Sequence, residues 1–157
     1  IFSSSLCVIL FYNFLSKIFI GDNGSYIIAV LLGIILIQLY NENNSISSFY
    51  IVLLLWYPCF ELLFSMLRKY RLKISVIEPD NDHLHHLIFY FFMKKYNLNN
   101  LTANNLTSLI ILAFNFILFN IASTNIYNSN KQCALILSSI FIYIVLYYKF
   151  DYWKKNY

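Results

Sequence analysis

Two short polar stretches carry the residues whose types and spacing could do chemistry. The first runs Lys17-Ile18-Phe19-Ile20-Gly21-Asp22-Asn23-Gly24-Ser25, with an aspartate bracketed by glycines where one apolar segment ends and the next begins. An ionised carboxylate at a membrane edge is costly unless a cation or hydrogen-bond donors meet it. Gly21 and Gly24 let the backbone turn sharply and approach a ligand closely. Ser25 opens the next apolar run, where the N–H groups of a helix N-terminus suit phosphate. A magnesium-held diphosphate is the ligand this arrangement suggests.

The second stretch is Glu78-Pro79-Asp80-Asn81-Asp82-His83-Leu84-His85-His86, which holds all three histidines of the chain behind three acids. Neutral imidazole binds metal or accepts a proton, and imidazolium holds phosphate. The alternative is a wet polar loop with no chemistry, and the motif alone divides evenly between the two. A zinc site lacks a cysteine or fourth ligand at a recognised spacing. A membrane di-iron centre would need several histidine boxes where there is one. Glu61, inside an apolar run, is a functional candidate by default, but an ion pair with Arg68 on the same helix face is the favoured reading. Phe89, Tyr90, Phe91 and Phe92 read as packing rather than a cofactor box. Cys7, Cys59 and Cys133 are isolated and imply neither a metal site nor a disulfide framework.

The elements that must position these residues are membrane helices. Of the 157 residues, 60% are hydrophobic, 20% aromatic and 11% charged, far below the roughly one quarter of charged residues usual in soluble domains. Mean hydropathy is +0.63. The expected fold is all-α: a polytopic transmembrane helical bundle with about five spans and a short interfacial helix. The spans are Ile1 to Leu15, Ser25 to Tyr40, Phe49 to Leu67 (with a kink at Pro58), Leu106 to Ala122 and Cys133 to Tyr148, with Leu87 to Tyr96 in the interface. The chain begins at Ile1 inside an apolar run and reads as the C-terminal part of a single membrane domain covering residues 1–157.

The net charge of +4 does not indicate a nucleic-acid partner, because the basic residues lie at the ends of apolar runs. If the loops alternate sides, Lys17, Arg68, Lys69, Arg71, Lys73, Lys94, Lys95, Lys149, Lys154 and Lys155 share one face, and of the eleven basic residues only Lys131 lies opposite. The basic face is then cytoplasmic. Asp22, Glu61, Asp80, Asp82 and the histidines all come to it, while the two Asn/Ser-rich loops, Asn41 to Ser48 and Ser123 to Lys131, face away.

Taken together, these blocks resemble the polyprenyl-phosphate N-acetylhexosamine-1-phosphate transferase family, over its C-terminal half. Tyr12-Asn13-Phe14 followed by Lys17 to Ser25 resembles the family's "NF…KIFxGDxGS". Pro58-Cys59-Phe60-Glu61 followed by Arg68-Lys69 resembles "PxxD" and a basic pair. Pro79 to His86 resembles "PDRxHxHH". Order and spacing agree over residues 12–87. Glu61 stands where the family has aspartate, and Asn81 where it has arginine, which removes a guanidinium suited to phosphate. The family's upstream aspartate pair is absent from this chain, so the chain alone is expected to be inactive.

The resemblance implies transfer of a sugar-1-phosphate, GlcNAc-1-phosphate, from a UDP-sugar to undecaprenyl phosphate with release of UMP, at the start of an envelope polysaccharide. It implies Mg2+, with Mn2+ as an alternative, held by Asp22. Asp22, His85 and His86 would be catalytic, and Gly21, Gly24, Ser25, Asp80, His83, His85 and His86 would contact substrate. The implied partners are the UDP-sugar, the polyprenyl phosphate and the bilayer, with a homodimer allowed for. The implied location is the bacterial inner membrane, multi-pass, with the site facing the cytoplasm. A non-catalytic relative and a lipid-diphosphate transporter are the rival readings.

Overall fold

The computed structural model describes residues 2–15, 17–43, 45–75, 78 and 82–156. Asp80, expected at the substrate site, lies outside the described residues, as do Pro79 and Asn81. Among the described residues the regular structure is helical: α1 Phe2–Phe14, α2 Gly21–Glu42, α3 Ser48–Leu54, α4 Trp56–Leu72, α5 Leu84–Tyr96, α6 Asn100–Ser123 and α7 Ser129–Asn156. The polytopic helical bundle read from composition is therefore what the chain forms. Helices α2, α6 and α7 are long and apolar enough to cross a membrane, and α3 with α4 adds a fourth span if the bent pair is taken as one. Helix α1 has 13 residues, fewer than the ~17–25 a span needs.

The chain forms two compact units, residues 1–44 and 45–157. In the first, α2 starts four residues before the expected Ser25. Gly21 takes a φ of +66°, a left-handed conformation that glycine adopts without steric cost. Ser25 Oγ donates to the Asp22 carbonyl at 2.8 Å, closing the first turn from inside. Tyr26, Ile27, Val30, Ile34 and Ile37 are exposed along α2, as expected of a helix whose solvent is lipid.

The second unit is organised around α5. Leu84, Leu87 and Ile88 of α5 are buried with Leu53, Trp56, Leu118, Ala122, Tyr143 and Tyr147, and α5 packs on both α6 and α7. The stretch expected to lie in the interface is thus a hub between helices. It begins at Leu84 rather than Leu87, so His85 and His86 belong to its first turn and not to a loop. The reason is burial: Leu84, Leu87 and Ile88 recur at helical spacing and all face the same core.

Helix α3 meets α4 at a bend of 72°. Pro58 was expected to kink this span, and the break falls three residues earlier, at Leu55 (φ −105°, ψ 4°). Proline lacks an N–H and its ring clashes with the carbonyl four residues back, so the disturbance is felt on its N-terminal side. Trp56 Nε1 then bonds Asn115 Oδ1 of α6 at 2.9 Å. At one end of the unit, Ser47 caps α3, bonds Ser129 Oγ at 2.9 Å and donates its N–H to the Ile126 carbonyl at 3.0 Å. Ser47 and the α6–α7 connection therefore share an end, as alternation of the loops requires. The histidines, the C-terminal end of α4 and the tail of α7 meet at the other end.

Candidate functional site

The histidine segment is held from α4. His83 is the N-cap of α5, in extended conformation, and its side chain makes no capping bond. Glu61 supplies what is missing. Its Oε1 accepts the Leu84 N–H at 2.9 Å and lies 3.1 Å from His83 Nδ1. A negative charge at a helix N-terminus is favourable, and it satisfies a donor that the helix cannot pair internally. Glu61 is 9% exposed, and Tyr57 and Tyr143 are near enough to interact with its carboxylate. The expected Glu61–Arg68 ion pair is not what forms. Seven residues of helix separate those two by nearly two turns, and the N-terminus of α5 takes the carboxylate instead.

The three imidazoles form a cluster. His83 stacks on His85 with ring centroids 5.5 Å apart and planes 12° from parallel. His85 and His86 are 4.3 Å apart, and His83 and His86 6.1 Å. Burial, reinforced by His86, holds the His85 pKa below the ordinary imidazole value; Glu61 opposes this and His83 adds to it. His85 is thus a neutral imidazole at pH 7, a proton acceptor rather than a fixed cation.

The segment before the histidines is pinned by cations. Arg68 donates through Nη1 to the Asp82 carbonyl and to Tyr147 Oη at 2.5 Å. Lys69, buried at the end of α4, donates to the Glu78 carbonyl. Lys154 of α7 meets the Asp82 carboxylate at 2.7 Å. The basic pair of α4 therefore grips backbone on both sides of residues 79–81. Beside it, a groove of about 670 Å³ runs between α4 and α7. Phe60, Phe64, Leu67, Ile144 and Tyr148 give it apolar walls, and Arg68, Arg71, Asp82, Asp151 and Lys155 give it a charged end.

Asp22 belongs to the other unit, as do Gly21, Gly24 and Ser25. Its carboxylate is exposed in the first turn of α2. A Cβ added at Gly24 would come within 2.4 Å of Ile20 Cγ2, so this glycine serves close packing of the turn rather than a left-handed φ. Among the described residues no three His, Cys, Asp or Glu side chains gather as a metal-ligand set. One exposed carboxylate does suit Mg2+, which takes one or two protein carboxylates and fills its shell with waters and substrate phosphates. Tyr57, Tyr143, Tyr147 and Lys154 are the site residues that sequence reasoning missed. Lys154 pairs with an acid 72 positions away, and the tyrosines are indistinguishable by type from lipid-facing aromatics.

Two curated proteins are similar to this chain. A probable undecaprenyl-phosphate N-acetylglucosaminyl 1-phosphate transferase of Bacillus subtilis is 35% identical over 99 residues, covering 58% of this chain and 28% of the relative. An undecaprenyl-phosphate alpha-N-acetylglucosaminyl 1-phosphate transferase of Thermotoga maritima is 28% identical over 72 residues, covering 46% of this chain and 23% of the relative. The resemblance carried by the motifs is thus matched by sequence similarity over about half of this chain, and the matches span less than a third of either relative's length. No family model matches, and no solved structure matches.

Proposed function

We propose that this chain contributes the histidine-bearing part of a membrane enzyme that transfers GlcNAc-1-phosphate from a UDP-sugar to undecaprenyl phosphate and releases UMP. The observation that carries the proposal is the clamped cluster of His83, His85 and His86 at the N-terminus of α5, in a chain similar to proteins named for that transfer. In the reaction, an oxygen of the lipid phosphate attacks the β-phosphorus of the UDP-sugar. The bond to the bridging oxygen breaks, and that oxygen leaves with UMP.

Two anionic substrates repel each other, so the site must neutralise charge as they converge. Bound Mg2+, or Mn2+, would supply part of that neutralisation, with Asp22 as its ligand from this chain. The imidazoles of His83, His85 and His86 contact the nucleotide-sugar and its phosphates, with His85 entering as the neutral form. Asp80, Gly21, Gly24 and Ser25 complete the substrate contacts. The groove between α4 and α7 has the apolar walls and charged end that an amphiphilic phosphate needs. The cytoplasmic face of a bacterial inner membrane is where the basic ends of these helices would lie.

The test is a radiolabelled UDP-GlcNAc assay on the full-length protein with undecaprenyl phosphate and Mg2+. Lipid-linked label together with UMP is the expected product. His86→Ala is expected to lower turnover at least a hundredfold at unchanged expression. No labelled lipid from correctly inserted protein would favour a non-catalytic relative. Movement of a preformed lipid diphosphate across vesicles, without UMP release, would favour a transporter.

A further inference from the structure

The transfer chemistry leaves the buried carboxylate of Glu61 without a role. We infer that Glu61 is a positioning residue: from α4 it holds the N-terminus of α5 and fixes the Nδ1–H tautomer of His83, so that the bare Nε2 lone pair faces substrate. The argument starts from a single oxygen. Glu61 Oε1 accepts the Leu84 N–H at 2.9 Å, which makes it an acceptor. The same oxygen is 3.1 Å from His83 Nδ1. Two acceptors cannot bond each other, so Nδ1 carries the proton and Nε2 is left unprotonated in the neutral ring.

Placing a carboxylate here is costly in a way packing does not explain. Glu61 is 9% exposed, and its second oxygen has no hydrogen-bond partner among the described residues. The Tyr57 hydroxyl beside it is likewise buried without one. An apolar side chain of similar volume would avoid that penalty. What such a side chain could not do is accept from both the histidine and the helix. The hydrogen bonds that Oε1 makes go to two adjacent residues of the histidine segment, 22 and 23 positions downstream. The ring so fixed is the one stacked on His85, which carries the orientation from Glu61 into the rest of the cluster.

The test is spectroscopic and needs no substrate. The full-length protein, labelled with 15N-histidine and held in nanodiscs near neutral pH, gives long-range 1H–15N correlations that distinguish the two tautomers. Loss of signals in His83→Gln assigns the ring. His83 is expected to be protonated at Nδ1, and Glu61→Ala is expected to cut the Nδ1–H share at least twofold. Protonation at Nε2 in the unaltered protein, or an Nδ1–H share unchanged in Glu61→Ala, would overturn the inference. The unaltered protein decides the matter even if the variant does not fold.

The kinetic consequence rests on the transferase reading: Glu61→Ala should lower kcat at least tenfold, and an unchanged kcat alongside an altered tautomer would overturn the positioning role. The two ideas fail separately. The expected tautomer in a protein without transferase turnover would sink the reaction and leave the clamp. Normal turnover with Nε2–H at His83 would do the reverse.

Discussion

Arg68→Ala tests how the histidine segment is held. The guanidinium donates to the Asp82 carbonyl and to Tyr147 Oη, bridging the segment before α5 to α7. A hydrogen bond from a charged donor contributes about 1.5–3 kcal/mol. The bond to the Asp82 carbonyl is only part-buried, so water can replace part of what that carbonyl loses. The net cost of opening should therefore drop by about 2–4 kcal/mol, less than the two-bond total of about 3–6 kcal/mol. At 1.4 kcal/mol per tenfold, the open form becomes roughly 30 to 700 times more populated. Hydrogen exchange of the full-length protein in nanodiscs reads this directly, because local opening governs exchange at the start of α5. The Leu84 and Leu87 amides should exchange faster by that factor, while those of mid-α6 stay unchanged. Arg68→Lys should show about half the free-energy effect, since one ammonium cannot fork to both acceptors as a guanidinium does. Equal exchange at Leu84 and Leu87 in Arg68→Ala and the unaltered protein would refute the idea that Arg68 holds the segment.

Three further expectations follow from the same geometry. Asp22→Asn in the complete protein should reduce Mg2+-dependent UMP release at least a hundredfold while leaving membrane insertion intact, measured by release assay and by membrane fractionation. His85 has a folded pKa below the ordinary value of 6.5, so the unfolded chain binds a proton that the fold refuses. Stability should then be complete above 6.5 and fall as pH drops below it, by at most about 1.4 kcal/mol per unit; thermal unfolding from pH 7.5 to 5 should show this slope, flattened in His85→Gln. Trp56→Phe removes the bond to Asn115 and should cost about 0.5–2 kcal/mol, the range for polar contacts between membrane helices, read by unfolding in mixed micelles.

The parts of this molecule that were legible in its sequence are those set by solvent. Scarcity of charge dictates apolar helices, and the alternation of loops predicts that Ser47 shares an end with the α6–α7 connection, where Ser129 and Ile126 now bond it. Contacts set by tertiary return were not legible. Helical spacing pointed Glu61 at Arg68 because both lie on α4. The carboxylate actually meets a backbone N–H and an imidazole that arrive only after the chain leaves α4 and re-enters as α5. Pro58 signalled a disturbance without its place, since the residue that yields is Leu55. The α5 stretch read as interfacial because it is too short to span, and the core it packs into through Leu84, Leu87 and Ile88 was not legible. In each case the sequence named the element and the packing chose its partner.

One consequence of that partner choice bears on how an anion could be held at the cluster. The N-terminus of α5 would ordinarily offer its first free N–H to a phosphate. Here Leu84 has already given that donor to Glu61, and the carboxylate places a negative charge where the anion would sit. On the transferase reading, phosphate recognition would then lean on side chains, the imidazoles that project from the same turn. Side chains differ from backbone donors in that they titrate, and His85 is neutral at pH 7 by burial. On that reading, a phosphate arriving at the cluster would meet rings able to donate to it and also to exchange a proton with it. A helix end alone could bind an anion but could not perform that exchange.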